Sequence, residues 1–216
     1  ARMSQAVVTN RAKSADWLRR YVSSDTPVHV QPVFSNVGEP DEVLPYEERD
    51  SYAVVFGSSN KKARLYRALK PTHIRQIESA GVKQIVDVGT SGGTPSSLHG
   101  LPIEAKGIQP VEAIRALFGR ARTGLLSYPV DYLTKSGIWS SYVAHGMLPL
   151  VLSPRRDTEE IKEGSHFIRI RKEDPPIAPS EAQRVAATAH RWYKESASSK
   201  SAARTFTHLI EQACLV

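Results

Sequence analysis

Apolar positions along this chain follow two rhythms, one of period two or unbroken and one of period near 3.6. Residues 5–9 (QAVVT) form a short apolar run that predicts a buried strand. Asn10 is placed to cap a helix over 11–22, where Ala12, Ala15, Leu18 and Tyr21 recur at helical spacing. Residues 27–34 (PVHVQPVF) alternate as a strand does. Residues 35–46 (SNVGEPDEVLPY) carry Pro, Gly and acids and read as a linker. Beyond it the rhythm switches repeatedly. Strands are predicted at 52–56, 84–88, 103–107 (weak), 123–126 and 148–152. Helices are predicted at 61–69, 72–80, 111–120 and 136–145.

Strands alternating with helices imply parallel pairing through right-handed crossovers. The fold class expected is therefore α/β, a Rossmann-like doubly wound parallel sheet. The tail differs. Pro175, Pro176 and Pro179 interrupt the chain, and Ser180 is placed to cap a long helix reaching about residue 196, with Glu181 in its first turn. A second helix over 201–214 completes a C-terminal helical extension. No internal repeat is present. The organisation read from these shifts is a segment 1–35, a linker 36–50, a domain 51–178 and helices 179–216.

Composition narrows the class. The chain has 216 residues, 40% hydrophobic and 24% charged, enough for one full domain and part of another. No apolar run approaches the roughly 18 residues of a membrane span, and residues 1–10 carry no secretory pattern. Cys214 is the sole cysteine, which excludes an intrachain disulfide and fits a reducing compartment. The seven histidines are scattered without metal-ligand spacing, so no metal site is expected. The net charge of +7 favours anionic partners: nucleotide phosphates, nucleic acid or an acidic membrane face.

Three segments could carry chemistry. In YAVVFGSSNKKARLYR a buried strand runs into Gly57-Ser58-Ser59-Asn60 and opens a basic helix. Free N–H groups and aligned peptide dipoles at such a start attract phosphate, and Gly57 lets the backbone approach. Arg64, one turn in, has the reach to hold a diphosphate with two parallel hydrogen bonds. In IVDVGTSGGTPSS, Asp87, Gly89, Gly92 and Gly93 resemble the glycine-rich loop of S-adenosylmethionine-dependent methyltransferases. Two features oppose that reading: Pro95, Gly100 and Pro102 leave no helix after the loop, and this strand is not the first of its domain.

The third segment, residues 124–150 (GLLSYPVDYLTKSGIWSSYVAHGMLPL), is the most specific. A strand is followed by a loop over 127–134 and by a helix that opens at Lys135-Ser136-Gly137 and closes at Ala144-His145-Gly146. Met147-Leu148-Pro149 then enters another strand. This order resembles the C-terminal, donor-binding domain of the two-Rossmann-domain (GT-B) glycosyltransferases. It is nearest to a bacterial subgroup with the pattern G-L-L-x-Y-P-x-x-Y-x-x-K-S-G-I. Many members carry two glutamates eight residues apart here; those positions fall on Leu133 and Ser141, with Asp131 as a nearby substitute.

The resemblance implies binding of a nucleotide diphosphate-sugar as donor substrate, without a cofactor. The implied ligands are Gly57, Ser58, Arg64, Tyr128, Asp131, Lys135, Ser136 and Gly137, with Tyr128 placed to stack on a base or sugar. Arg122 is a more distant candidate, and His145 is expected as a helix-end cap. Residues 1–35 then resemble the end of an N-terminal acceptor domain, which in the family supplies the catalytic base. The implied setting is cytoplasmic, with peripheral contact at the inner membrane face and no nucleic-acid partner. Two alternatives stand beside this expectation: a non-catalytic GT-B-like binding module, which the missing glutamates favour, and the methyltransferase.

Overall fold

A computed structural model describes residues 5–90, 92–153, 160–172 and 174–214. Ser91 of the glycine loop and the side chain of Cys214 lie outside the described residues.

The core of the chain is a seven-stranded sheet. Its strands are β3 (Asp50–Phe56), β4 (Gln84–Val88), β5 (Ser97–Leu98), β6 (Leu101–Gly107), β7 (Ala121–Ser127), β8 (Leu148–Leu152) and β9 (Ile168–Arg169). They lie in the order β5-β6-β4-β3-β7-β8-β9, and every pair is parallel except the β5–β6 hairpin. Leaving β5 aside, the order is the doubly wound 3-2-1-4-5-6, which reverses direction between β3 and β7. Crossovers α2 (Ser59–Ala68) and α3 (Pro71–Ser79) cover one face. On the other lie α4 (Val111–Arg120) and α5 (Gly137–Ala144). Each face has its own apolar cluster, so strands such as β3 (YAVVF) are buried on both sides and read as unbroken apolar runs.

A second sheet pairs β1 (Val7–Thr9) with β2 (Val28–Val30) in parallel, linked by α1 (Ala12–Leu18). The alternating run 27–34 is therefore a strand only in its first half. Val33 instead donates to Thr134 O at 2.9 Å, tying this segment to the main domain. The expected Asn10 cap is not made: Arg11 holds the cap position without a side-chain bond. Nor does Ser180 cap its helix. Helix α6 (Pro179–Trp192) starts two residues earlier, capped by Ala178 and with Pro179 in the first position, where a missing N–H costs nothing. A π-helical turn (Tyr193–Ala197) joins α6 to α7 (Ser199–Cys214). Glu39 of the linker fixes that joint by accepting from Tyr193 Oη, Ser199 N and Ser199 Oγ.

The far end of the sheet is held by Arg49, only 2% exposed. Its guanidinium donates to the carbonyls of Leu44, Ala121 and His145 at 2.7–3.1 Å, and burial pushes its pKa down to about 10. His145 closes α5 as expected, with Nδ1 2.8 Å from Ser141 O. Next to it, His190 Nδ1 is 2.9 Å from Val143 O.

Burial lowers the pKa of both imidazoles below 6.5; Arg49, Arg115 and His190 add to the shift of His145, and Lys194 and Arg49 add to that of His190. A base whose folded pKa is depressed binds fewer protons folded than unfolded. Stability from this pair is thus fully present above about pH 6.5 and lost as pH falls below it. Urea titrations should show stability falling by up to ~1.4 kcal/mol per pH unit for each histidine. A flat profile between pH 7 and 5 rejects this account.

Candidate functional site

The sheet's reversal between β3 and β7 leaves a crevice beyond their carboxyl ends, where ligands of such sheets sit. Three neighbouring strands end in glycines with positive φ: Gly57 (+134°), Gly89 (+107°) and Gly107 (+67°). Gly57 N donates to Val88 O and Gly89 N to Gly107 O, so the strand ends form a tight row. A Cβ on Gly89 would lie 2.4 Å from Gly57 O, which leaves only glycine there.

Two helices start at this crevice. Ser58 holds the cap position of α2 in extended conformation, without a side-chain cap bond. Lys61 N and Lys62 N return to Ser58 O, while Ser59 N donates sideways to Thr90 Oγ1 at 2.9 Å. Opposite, Ser136 caps α5 by accepting from Trp139 N at 3.2 Å. Between them the crevice is lined by Phe56, Lys61, Lys62, Ser127, Tyr128, Ser136 and Ile138. Lys61 Nζ stands 6.0 Å from the centre of the Tyr128 ring.

Beneath the crevice lies a buried polar group. Lys62 Nζ is paired with Asp87 Oδ1 and also reaches Val88 O at 3.4 Å. Tyr66 Oη donates to the other carboxylate oxygen, and burial together with that bond pushes the Tyr66 pKa far up. Both charged side chains are almost wholly buried, at 2% and 0% exposure. The pair braces α2 against β4.

Of the expected ligands, the structure places Tyr128 and Ser136 in the crevice lining and sets Gly57, Ser58 and Gly137 beside it, at the end of β3 and the starts of α2 and α5. It does not bring Arg64, Asp131 or Lys135 to the lining. Arg64 is exposed, about 100° around α2 from buried Leu65. Lys135 ends a 3-10 helix (Val130–Lys135) that replaces the expected irregular loop, and it too is exposed. Asp131 faces the N-terminal segment: Arg11 Nε donates to its carbonyl at 2.9 Å, Arg11 pairs with its carboxylate at 3.5 Å, and the guanidinium stacks 3.6 Å from the Tyr132 ring. Arg122 sits at the opposite end of β7, donating to Arg49 O.

Lys61 and Lys62 are the crevice residues that sequence reasoning passed over. For Lys61 the signal was there: side chains in a first turn lean back toward the helix start, so a cation at the third helical position overhangs it better than one further along.

The two positions where the family pattern has glutamates are both in the interior. Leu133 is fully buried among apolar neighbours. Ser141 Oγ lies 2.7 Å from Gly137 O and 3.0 Å from Asn36 Oδ1, and accepts from Ser35 Oγ at 3.1 Å. The methyltransferase alternative loses its physical basis. No helix follows the Gly89 loop, which runs instead into the β5–β6 hairpin, and Asp87 is consumed by Lys62 and Tyr66.

No family model and no curated protein matches the sequence. Solved structures do match in shape. An α-glucosyltransferase in complex with UDP and a 13-mer DNA superposes with a TM-score of 0.57 at 11% identity, over 97% of this chain and 66% of that one. AviGT4, a glycosyltransferase involved in avilamycin A biosynthesis, gives 0.54 at 14% identity, over 96% and 66%. A TarM variant from S. aureus in complex with UDP and other ligands gives 0.55 at 9%, over 94% and 43%. The chain thus has the Rossmann-like α/β architecture of these GT-B structures and spans from about two fifths to two thirds of their length.

Proposed function

We propose that the β3–β7 crevice binds a nucleotide diphosphate-sugar and that the chain is the donor side of a glycosyltransferase. One observation carries this reading: two helix starts and the exposed ammonium of Lys61 converge on the switch point of a doubly wound sheet. Amide dipoles at the α2 and α5 starts, with the Lys61 ammonium at the rim, would stabilise a diphosphate as it departs with growing negative charge. Tyr128 offers a flat face for base or sugar. Solved neighbours with UDP or UDP-glucose at hand lend support. The acceptor site and catalytic base belong, in this proposal, to an N-terminal acceptor domain continuous with the β1–α1–β2 unit.

Calorimetric titration tests it. UDP or GDP should bind, uridine should bind more weakly, and Lys61→Ala should weaken diphosphate binding roughly tenfold, as expected on losing one charge-assisted contact. Absence of heat with either nucleotide at millimolar concentration sinks the donor site. A second reading, a nucleotide-binding module without transfer activity, is favoured by the interior placement of Leu133 and Ser141, which leaves no carboxylate at either position. Binding of UDP without any hydrolysis or transfer of UDP-sugars, even with an acceptor domain supplied, selects that reading.

A further inference from the structure

The charge of the chain is not spread evenly. Residues 57–83, the β3–β4 crossover, hold seven Lys and Arg against the single carboxylate of Glu78. That is a net +6 of the whole chain's +7, so the remaining sequence is close to neutral. Lys62 is buried against Asp87; the other six cations, Lys61, Arg64, Arg67, Lys70, Arg75 and Lys83, are all exposed. None of the six pairs with a carboxylate among the described residues. Elsewhere several exposed cations are matched, as Arg120 with Asp50 and Arg171 with Asp174 are, and the unmatched ones, such as Lys13, Arg20 and Arg204, are scattered over different elements.

The cations do not form a file. They stand on α2, on α3 and at the entry to β4, two helices side by side on one sheet face. Such a layer offers an area rather than a groove. Large exposed apolar side chains (Trp17, Tyr21, Phe34, Phe206 and Ile210 among them) all lie on other elements. This face therefore has neither an insertion wedge nor the aromatic platform on which single-stranded nucleic acid stacks.

We propose that the outer face of α2 and α3 docks electrostatically on an anionic lipid bilayer. Clusters of this size on a helix face match the requirement for attraction to acidic headgroups, where each Lys or Arg near the surface contributes about fivefold in partitioning. Lys61 joins this face to the crevice rim, so docking would bring the crevice close to the bilayer. The inference stands independently of the nucleotide-sugar reading.

Sedimentation with vesicles of phosphatidylglycerol and phosphatidylcholine tests it, against phosphatidylcholine alone. The whole chain should bind the anionic vesicles only and be released at high salt. Arg64→Glu/Arg67→Glu/Lys70→Glu should lower partitioning a hundredfold or more, with the thermal melt unchanged. A control reversing exposed cations elsewhere, Lys13→Glu/Arg20→Glu/Arg204→Glu, has the same net charge and should keep most of the binding. No binding to anionic vesicles, equal loss in the control, or tighter binding to double-stranded DNA than to vesicles at the same salt overturns the proposal. Because no nucleotide enters the assay, a failed UDP titration leaves this outcome untouched.

Discussion

Gly124→Ala is expected to destabilise the chain by ~3 kcal/mol or more, a large effect for one methyl group on a strand. Gly124 lies in β7 opposite Val54 of β3, at the reversal of the sheet. The Tyr142 ring of α5 rests directly on it. A Cβ there would fall 2.3 Å from a ring carbon. Tyr142 cannot step aside. It is fully buried, and its hydroxyl accepts from Phe56 N at 3.0 Å and lies 3.3 Å from both Val54 O and Leu125 O. One phenol thus bridges β3 and β7 where the crevice begins. Substitution of a glycine in extended backbone normally gains a few tenths of a kcal/mol from the unfolded state, so the predicted sign comes from packing alone. Urea unfolding followed by circular dichroism measures it. Adding Tyr142→Leu should recover part of the loss, because the two substitutions share one contact. Gly124→Ala with wild-type stability contradicts the packing described.

How far this was legible in the sequence differs by element. Strands β3, β4, β7 and β8 and helices α4 and α5 stand where apolar periodicity places them, because each packs apolar side chains against a core cluster. β9 was not legible: two residues paired to Leu150 and Val151 are too few to show a period. The 3-10 helix before α5 and the π-helical turn after α6 were missed for a related reason. Each is too short to show a period, although Val130 and Leu133 of the first are buried, and each has a tertiary partner, Arg11 at Asp131 for the first and Glu39 at Tyr193 for the second. Within the candidate site, the glycines and serines at strand ends could be placed, since backbone conformation follows local sequence. The long side chains could not. Arg64 and Asp131 were chosen for chemical suitability, yet helix phase turns one to solvent and Arg11 takes the other. Lys62 shows the converse. A doublet of lysines in a polar helix gives no sign that the second is buried, since its partner Asp87 is 25 residues on.

That hidden pair underlies the second large effect. Asp87→Ala should cost about 3–5 kcal/mol, the range for removing one partner of a buried ion pair. The loss would take a large share of the ~5–15 kcal/mol that holds an ordinary domain together. The ammonium of Lys62 would keep only the carbonyl of Val88, 3.4 Å away, and Tyr66 Oη would lose its acceptor. The attraction is not where most of the effect lies. Two charges brought out of water stabilise a fold little more than apolar side chains of the same volume; the cost arises from stranding one of them. Lys62→Met/Asp87→Leu should therefore stand well above Asp87→Ala in stability, although it removes the interaction entirely. Urea unfolding of the wild type, Asp87→Ala and Lys62→Met/Asp87→Leu, followed by tryptophan fluorescence, separates the two contributions. The pair also ties the first turn of α2, which carries Lys61, to β4. The double variant keeps the fold but frees that turn, so its nucleotide affinity should drop even where its stability is restored. Full recovery of stability together with unchanged UDP affinity would show that the brace serves packing alone and leaves the crevice to be shaped by its glycines.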